Sequence, residues 1–381
     1  MSPLKQKIIE KIRSEGHINF ETFMDMCLYY PELGYYTRDS SKIGKSGDFY
    51  TSPHLHPIFG AMIGRQMIEM WEIMERPQDF QIVEIGAGMG YLAKDMLDYL
   101  RRLEVRCQDP KGVGNFFKNL QYIILEMNPY VELKQKELLS EFKEKIIWVS
   151  NINEIRSVRG CFLSNELLDA FPVRLIEMDN GIKEIYVSVD GDEFIEIKMP
   201  CSDEIKKYFD DFGIKLPEGY RTEVNLKIKE WLSNVNDKLS EGFIMTIDYG
   251  YTSADYYSEE RNRGTLLCYY RHQINEDPYR HIGEQDITAH INFSFLKKLG
   301  DEFGIETLGF CPQGTYLVSL GIDEVIKEFL EDSQDLLDIG KIKGLILPQG
   351  MGESHKVMIQ YKGNRKINMK GFLLRNYKDR L

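Results

Sequence analysis

Five short apolar runs, separated by segments of helical pattern, constrain the fold of this chain more than any other feature. They are FQIVEIG, YIILEMN, KIIWVS, GCFLSNE and GFIMTIDYG, and each is bounded by turn residues. Continuous apolar runs of this length are typical of strands that are buried on both faces. The sequence therefore predicts an α/β fold built on a parallel sheet.

The segments around these runs predict the rest of the domain organisation. Apolar residues at helical spacing predict helices behind Ser2-Pro3, over residues 20–30, and from Pro57 to just before Pro77. The stretch KEIYVSVDGDEFIEIKMP predicts a hairpin, and GTYLVSLGI and SHKVMIQYKG are candidates for the last strands. We expect the following division of the chain: N-terminal helices and a lid loop in 1–76, the first part of the core in 77–184, an inserted hairpin-plus-helix region in 185–241, and the rest of the core with extra loops and a C-terminal tail in 242–381.

Composition disfavours several classes of function. The chain has 48 basic and 60 acidic side chains and a formal charge of −12, which argues against nucleic acid as the main partner because phosphate binding needs a basic surface. Its six cysteines show neither metal-binding nor paired spacing, so we expect reduced thiols, no metal and a cytoplasmic protein. No uncharged apolar run approaches the roughly 18 residues of a membrane span.

A glycine loop follows the first apolar run. Gly86, Gly88 and Gly90 come directly after the strand end, and a helical pattern begins at Tyr91. Glycines in this place let a ligand approach the backbone closely at the amino end of a helix. Tyr91 stands where a dinucleotide-binding loop has its third small residue, so this loop, which Glu84 opens, favours a different nucleotide-like ligand.

An acid stands at the end of the next apolar run. Glu126, followed by Met127, occupies the place where a carboxylate accepts hydrogen bonds from a ribose. It lies 40 residues after Gly86 instead of the roughly 20 of a minimal unit, and a loop insertion explains the excess. The alternative is that Glu126 caps a helix that begins at Asn128-Pro129.

A third polar group follows the fourth run, in SNELLDAFPVR. Asn165, Glu166 and Asp169 stand at this strand end, and Asp248 stands at the end of the fifth run. Because ligands of parallel sheets bind beyond the carboxyl ends of the strands, we expect these residues at the same crevice as the glycine loop. The alternative is that Asn165 caps a helix and the acids favour its positive end.

Eight separated motifs give the chain a family resemblance over about residues 28–362. They are CLYYPELGYYTR, IGKSGDFYTSP, VEIGAGMG, NELLDAFPV, IDYGY, GTLLCYYRH, GEQDITAHINF and LPQGMGESHKV. The chain resembles the MidA-like methyltransferases, which include the mitochondrial complex I assembly arginine methyltransferase. The resemblance implies a class I methyltransferase (Rossmann-like) fold, S-adenosyl-L-methionine as cofactor and a protein arginine as methyl acceptor. For the mitochondrial members it also implies a complex I subunit as partner.

The resemblance also assigns site residues. Gly86 and Gly88 match the cofactor loop, and Glu126 matches the ribose-binding acid. The other cofactor-binding candidates are Gly47, Asp48, Thr51, Ser52, Glu84, Met127 and Asn165. Where the family usually has an acid, an aspartate and an aromatic residue, this chain has His54, Asn292 and His355. His54 is either a pocket residue or an exposed loop histidine.

A carboxylate pair suits an arginine acceptor, because bidentate hydrogen bonding fixes the plane of the guanidinium. Glu166 and Asp169, three residues apart at an expected helix start, are predicted to project near one another and to act with Asn165. Asp248 and His272 are secondary catalytic candidates, and His272 either takes a proton after transfer or is a structural histidine. Two other functions stay open: an S-adenosylmethionine-binding assembly factor or chaperone without essential catalysis, and a nicotinamide-dependent oxidoreductase.

Overall fold

The computed structural model describes residues 2–38, 52–106, 114–332 and 338–381, which form two compact units. The sheet unit comprises Tyr50–Leu167, Leu232–Gly250 and Leu296–Leu381. The accessory unit comprises Met1–Phe49, Leu168–Trp231 and Tyr251–Phe295. Each unit groups segments that are far apart in the chain. The division expected from the sequence, with borders after residues 76, 184 and 241, follows the linear order of the motifs and stays a prediction.

Seven strands with buried apolar side chains build the sheet unit. In chain order they are β1 Gln81–Ile85, β2 Gln121–Leu125, β3 Ile146–Val149, β4 Val158–Asn165, β5 Leu239–Tyr251, β6 Glu306–Pro312 and β7 His355–Lys362. They pair in the order β3–β2–β1–β4–β5–β7–β6. The first five are parallel, as predicted, and β7 is antiparallel to both neighbours. The strand order reverses between β1 and β4, which is where ligands bind in sheets of this type.

Helices with apolar faces provide most of the core of the sheet unit. They are Ser52–Leu55, Ile58–Ile73, Tyr91–Arg106, Gly114–Asn119, Pro129–Leu138, Gln313–Ser319, Ile322–Asp332, Ile339–Ile346 and Met351–Ser354, with 3-10 turns at Ser140–Phe142, Ile152–Glu154, Lys370–Phe372 and Lys378–Arg380. Two further helices, Lys227–Lys238 and Phe293–Glu302, contain a border between the units. Met62, Met67 and Met70 are buried in the core together with Trp71, so these methionines fill space between helix and sheet.

The accessory unit contains the predicted hairpin. Its strands Ile182–Asp190 and Glu193–Pro200 are antiparallel. The same sheet includes Ile18–Asn19, Arg174–Met178 and Arg221–Val224, and a smaller sheet consists of Gln273–Asn275, Leu267–Tyr270 and Asp286–Thr288. The remaining elements are a short strand, four helices and two 3-10 turns: Ile291–Asn292, Pro3–Glu15, Phe20–Tyr29, Asp203–Phe212, Ser253–Tyr256, Leu168–Ala170 and Glu259–Arg261. The first helix is capped by Ser2, whose Oγ accepts from Lys5 N at 3.2 Å, as the Ser-Pro start predicts.

One strand prediction is wrong. Most of the stretch GTYLVSLGI, residues 314–319, belongs to the helix Gln313–Ser319, and Ile322 begins the next helix; β6 lies directly before them. Its β-branched and aromatic composition favours a strand locally. Tyr316, Leu317 and Leu320, spaced as on one helix face, are all buried in the core, so tertiary packing decides against that propensity.

Candidate functional site

The glycine loop joins the end of β1 to the helix Tyr91–Arg106. Gly86 and Gly88 have φ values of 71° and 52°, a left-handed conformation that favours glycine. A Cβ atom at Gly88 would meet nothing within 4 Å, whereas one at Gly86 would lie 2.8 Å from Leu167 Cδ1. The loop therefore leaves open space beside Gly88 at the carboxyl end of β1.

Glu126 follows β2 and is linked to this loop. Gln135 Nε2 donates to Glu126 Oε2 at 3.1 Å and to Gly88 O at 2.7 Å, and Asn128 N donates to Glu126 Oε1 at 2.9 Å. Burial raises the pKa of Glu126 to about 7. The helix Pro129–Leu138 is capped by the Asn128 side chain, so the alternative role of Glu126 as that cap is wrong.

Gln135 is a site residue that the sequence analysis missed. It is fully buried, and its Oε1 accepts from Trp148 Nε1 at 3.1 Å while its Nε2 bridges Glu126 and Gly88. The sequence carries one signal for it. Gln135 stands four residues after the buried Val131, on the helix face where an apolar side chain is expected.

Two further cofactor-binding candidates are Glu84, which precedes the glycine loop, and Met127, which follows Glu126. Glu84 is buried in β1 and accepts from Tyr122 Oη at 2.7 Å, and burial raises its pKa to about 7. Its observed partner is therefore a side chain of the neighbouring strand β2. Met127 is exposed beside Glu126. A role in cofactor binding stays a prediction for both residues.

The backbone turns sharply at Glu166, directly after β4. Its φ of 51° is uncommon for a residue with a side chain. Two hydrogen bonds hold the turn: Glu166 N donates to Ile247 O at 2.8 Å, and Leu167 N donates to Asp248 Oδ2 at 3.1 Å. Asp248 is fully buried at the end of β5, and its Oδ1 also accepts from Tyr249 N at 2.8 Å. Asp248 thus positions the backbone that carries Glu166.

No α-helix begins in SNELLDAFPVR. The left-handed residue Glu166 cannot belong to a right-handed helix, and only the 3-10 turn Leu168–Ala170 follows it. The prediction that Asn165 caps an α-helix is therefore wrong. The prediction that Glu166 and Asp169 project together from one helix is also wrong, and the two residues belong to different units.

The Glu166 carboxylate is buried, with 4% of its side chain exposed. Its Oε1 has three polar neighbours: Ser52 N at 3.3 Å, Asn165 Nδ2 at 3.3 Å and His355 Nε2 at 3.5 Å. Its Oε2 and Asn165 Oδ1 are buried and have no hydrogen-bond partner among the described residues. Buried polar atoms are nearly always paired in folded proteins, so two adjacent unpaired acceptors mark a place where a ligand supplies the donors.

Two histidines at positions of family departure lie near this carboxylate. His355, fully buried at the start of β7, has its ring centroid 4.0 Å from that of Tyr249. The ring centroid of His54 is 4.9 Å from that of Tyr91. Burial lowers the pKa of His54, and the charge of Glu166 acts in the opposite direction. His54 is half-buried in the helix Ser52–Leu55, and its role as a pocket residue stays a prediction.

One residue of the predicted lid, Ser52, contacts the Glu166 carboxylate. Ser52, besides its contact with Glu166, donates its hydroxyl to Gln313 Oε1 at 3.1 Å. Its role in cofactor binding stays a prediction. The other three lid candidates, Gly47, Asp48 and Thr51, lie outside the described residues.

The remaining candidates belong to the accessory unit. Asp169 is buried there, and its backbone oxygen accepts from Ala289 N at 2.9 Å. His272, exposed and with a φ of 64°, forms the turn between two strands of the smaller sheet together with Arg271. This is the position of a hairpin residue, and its catalytic role stays a prediction. Asn292 is buried and donates to Tyr208 Oη at 2.7 Å.

The described ranges contain neither a metal-binding cluster nor a helix able to span a membrane. No group of three or more His, Cys, Asp or Glu side chains there could hold a metal ion. No described helix combines the length and apolar character needed to cross a bilayer. The described cysteines are buried free thiols at Cys27, Cys161, Cys201, Cys268 and Cys311. The sixth, Cys107, lies outside the described residues.

Known proteins resemble this chain in sequence and in structure. A family model described as S-adenosyl-L-methionine-dependent methyltransferase matches residues 62–311. The mitochondrial protein arginine methyltransferase NDUFAF7 of Rattus norvegicus is 25% identical over 373 residues, covering 93% of this chain and 83% of its own. The Homo sapiens protein of the same name is 25% identical over 362 residues, covering 88% and 77%. A crystal structure from Burkholderia thailandensis, bound to S-adenosyl-homocysteine, is 30% identical with a TM-score of 0.88, covering 99% and 96% of the two chains.

Proposed function

Because the chain belongs to the family of S-adenosyl-L-methionine-dependent methyltransferases, we propose that it methylates an arginine side chain of a protein. One observation carries the choice of acceptor: the buried Glu166 carboxylate has an oxygen without a partner among the described residues, at the carboxyl edge of the sheet. The activity in the names of the 25% identical relatives supports the same acceptor. By family resemblance, a respiratory complex I-type subunit is a candidate substrate. A cytoplasmic location stays a prediction.

The fold is that of the class I methyltransferases, and the cofactor is S-adenosyl-L-methionine. The residues beside β1 and β2 fit this group. The open space at Gly88 lets a ligand approach the backbone, and Glu126 keeps acceptor capacity for ribose hydroxyls because an ionised carboxylate has about four acceptor positions. When bound, the cofactor supplies a methyl group on a positively charged sulfur.

Glu166 and Asn165 have the chemistry needed to hold a guanidinium group. A guanidinium is planar, stays positively charged and carries five N–H donors. Glu166 Oε2 and Asn165 Oδ1 can each accept one of these donors. Attraction between the two charges is stronger in this buried place than in water. The nitrogen that receives the methyl group must also lose a proton, and Glu166 Oε2 is the acceptor for it.

The other neighbours of Glu166 fix its orientation. Ser52 N and His355 Nε2 lie near Oε1, and the turn held by Asp248 sets the direction of the side chain. This support leaves Oε2 for the substrate. Positioning of this kind accelerates a displacement reaction, because the acceptor nitrogen must be aligned and water must be kept out.

The test is transfer of labelled methyl groups from S-adenosylmethionine to proteins of a cell extract, followed by hydrolysis and amino-acid analysis. We expect label in methylarginine, and we expect Glu166→Gln to lower the rate at least about 100-fold while leaving cofactor affinity within about twofold. The matched control is Glu353→Gln, an exposed glutamate of the same unit with 64% of its side chain accessible, and it should leave the rate unchanged.

Three results would contradict the proposal. They are label in another amino acid, label only in small molecules, and full activity of Glu166→Gln. Normal cofactor binding with no labelled protein in any extract would instead support the alternative of an assembly factor without catalysis.

A further inference from the structure

Two adjacent leucines near the end of the chain project from the sheet unit. Leu373 and Leu374 are 72% and 63% exposed. They directly follow the 3-10 turn Lys370–Phe372. Single exposed apolar side chains are ordinary on protein surfaces, but two neighbours that are both mostly exposed form a continuous apolar projection.

This projection is held in place and is not a loose tail. Met369 and Phe372 on the same segment are buried in the core of the sheet unit. Leu373 N donates to Lys370 O at 3.2 Å, and Leu374 N donates to Ser319 Oγ at 3.2 Å. The two leucines are therefore presented to solvent by a turn whose neighbours are anchored.

Positively charged side chains stand on both sides of the leucines in the chain, and one of them, Lys370, is within electrostatic reach of Glu69. Five cations make no ion pair with any described residue: Lys366, Lys370, Arg375, Lys378 and Arg380. Two of them, Arg375 and Arg380, lie over the ring of Tyr377 at 5.5 and 4.5 Å. Residues 366–381 contain one acid, Asp379, in a chain whose net charge is −12. The segment thus carries a net positive charge on a protein that is acidic as a whole.

We propose that this leucine turn, residues 366–380, docks the protein on an anionic lipid surface. The leucines enter the boundary between headgroups and acyl chains, and the lysines and arginines contact the headgroups. An apolar projection flanked by unpaired cations matches the two signals that peripheral membrane binding requires. Charge complementarity selects anionic lipids over neutral ones.

A lipid surface fits this turn better than a protein partner does. The turn has no α-helix and no strand, so it offers neither a helix face nor a strand edge of its own for a protein to bind. Two projecting side chains need a matching groove on a protein, whereas a fluid bilayer accommodates them without one. The inference is independent of the methyl acceptor, so the two proposals can fail separately.

Sedimentation of the full chain with vesicles tests the proposal. We expect binding to vesicles of phosphatidylglycerol and phosphatidylcholine in equal parts, little binding to phosphatidylcholine alone, and weaker binding as salt is raised. Leu373→Ser with Leu374→Ser should reduce binding about tenfold or more. Lys366→Gln with Lys370→Gln and Arg375→Gln should reduce it by a similar factor.

Matched variants exclude general effects of surface change. Leu330→Ser with Leu347→Ser alters two exposed leucines of other segments in the sheet unit and should leave vesicle binding unchanged. All variants should keep the unfolding temperature and its increase on addition of S-adenosylmethionine, which shows that the fold is intact.

Several results would overturn the proposal. They are equal binding to neutral and anionic vesicles, no binding to either, and wild-type binding by both leucine-turn variants. Light scattering could also contradict it. If the protein is a dimer, and the Leu373 and Leu374 substitutions convert it to a monomer without changing vesicle binding, the turn contacts a second copy of the chain.

Discussion

Gln135 Nε2 lies 3.1 Å from Glu126 Oε2, and this hydrogen bond joins the candidate ribose-binding acid to the glycine loop, since the same nitrogen donates to Gly88 O at 2.7 Å. A single buried amide thereby links the two parts of the candidate cofactor site. Trp148 holds the other end of the amide. The geometry of this candidate site thus depends on Gln135, which the sequence analysis did not single out.

Replacing Gln135 by leucine should weaken cofactor binding. The side chain keeps a similar size but loses the donor that both Gly88 O and Glu126 share. We expect the dissociation constant for S-adenosylmethionine, measured by calorimetry, to rise about tenfold, and the free energy of unfolding to fall by about 1–3 kcal/mol. Gln81→Leu, which removes the bond from Gln81 to Gln121 at the other end of the strands, should not change the affinity. Equal affinities of wild type and Gln135→Leu would show that the bridge does not shape the site.

Cofactor affinity should depend on pH through Glu126. Burial raises the pKa of this carboxyl to about 7 in the free protein. Protonation turns one carboxylate oxygen into a donor and reduces the acceptor capacity of the group, so S-adenosylmethionine should bind more tightly as pH rises from about 6 to about 8. Glu126→Gln should bind more weakly and lose this dependence. Glu84→Gln is the control, because burial also raises the pKa of Glu84 to about 7, yet its observed partner is Tyr122. If Glu84→Gln abolished the dependence and Glu126→Gln kept it, the assignment would be reversed.

A side chain at Gly88 should block the cofactor. The residue has a φ of 52° and open space beside it, so Gly88→Ala should fold, with a loss of about 1 kcal/mol of stability from backbone strain. The new methyl group occupies space that a ligand needs, and we expect at least a tenfold loss of affinity, roughly 1.4 kcal/mol. Gly213→Ala matches the strain, with a φ of 60° and no atom near the added Cβ, but lies at a helix end in the accessory unit. It should lose similar stability and keep its affinity. A similar loss of affinity in both variants would point to a general effect of strain.

Glu223 should matter for the stability of the accessory unit. Its buried carboxylate accepts from Thr265 N at 2.9 Å, from Leu266 N at 2.9 Å and from Tyr256 Oη at 3.3 Å. Glu223→Gln replaces one acceptor oxygen by a donor. The remaining oxygen can still accept from Thr265 N and Leu266 N, but the bonds that Thr265 Oγ1 and Tyr256 Oη donate to Oε2 are lost. We expect a loss of about 3 kcal/mol in the free energy of unfolding, measured with urea.

Glu84→Gln is again the matched comparison for this effect. Glu84 accepts one observed hydrogen bond, from Tyr122 Oη, and the amide oxygen of glutamine can accept the same bond. The loss in the free energy of unfolding should therefore stay below about 1 kcal/mol. Equal costs for the two substitutions would mean that the hydrogen bonds to Glu223 add no stability of their own.

Features that depend on neighbours in the chain could be predicted from the sequence. The apolar runs specify strands because a run buried on both faces has no polar alternation. The glycine loop is predictable because a positive φ and a close approach need glycine at particular positions. The position of Glu126 at the carboxyl end of a strand is predictable because it directly follows an apolar run, whereas its role toward a ribose stays a prediction.

Only the tertiary structure decided which side chains meet at Glu166. Local rules favoured a helix start with two cooperating acids, but the hydrogen bonds of Glu166 N to Ile247 O and of Leu167 N to Asp248 impose a left-handed turn from a neighbouring strand. Ser52, 114 residues earlier in the chain, and His355, on the antiparallel strand β7, then complete the surroundings of the carboxylate. Such contacts depend on strand order and packing, for which a single sequence carries no local signal. The strands and the glycine loop, in contrast, are determined by short-range sterics and burial, which the sequence does show.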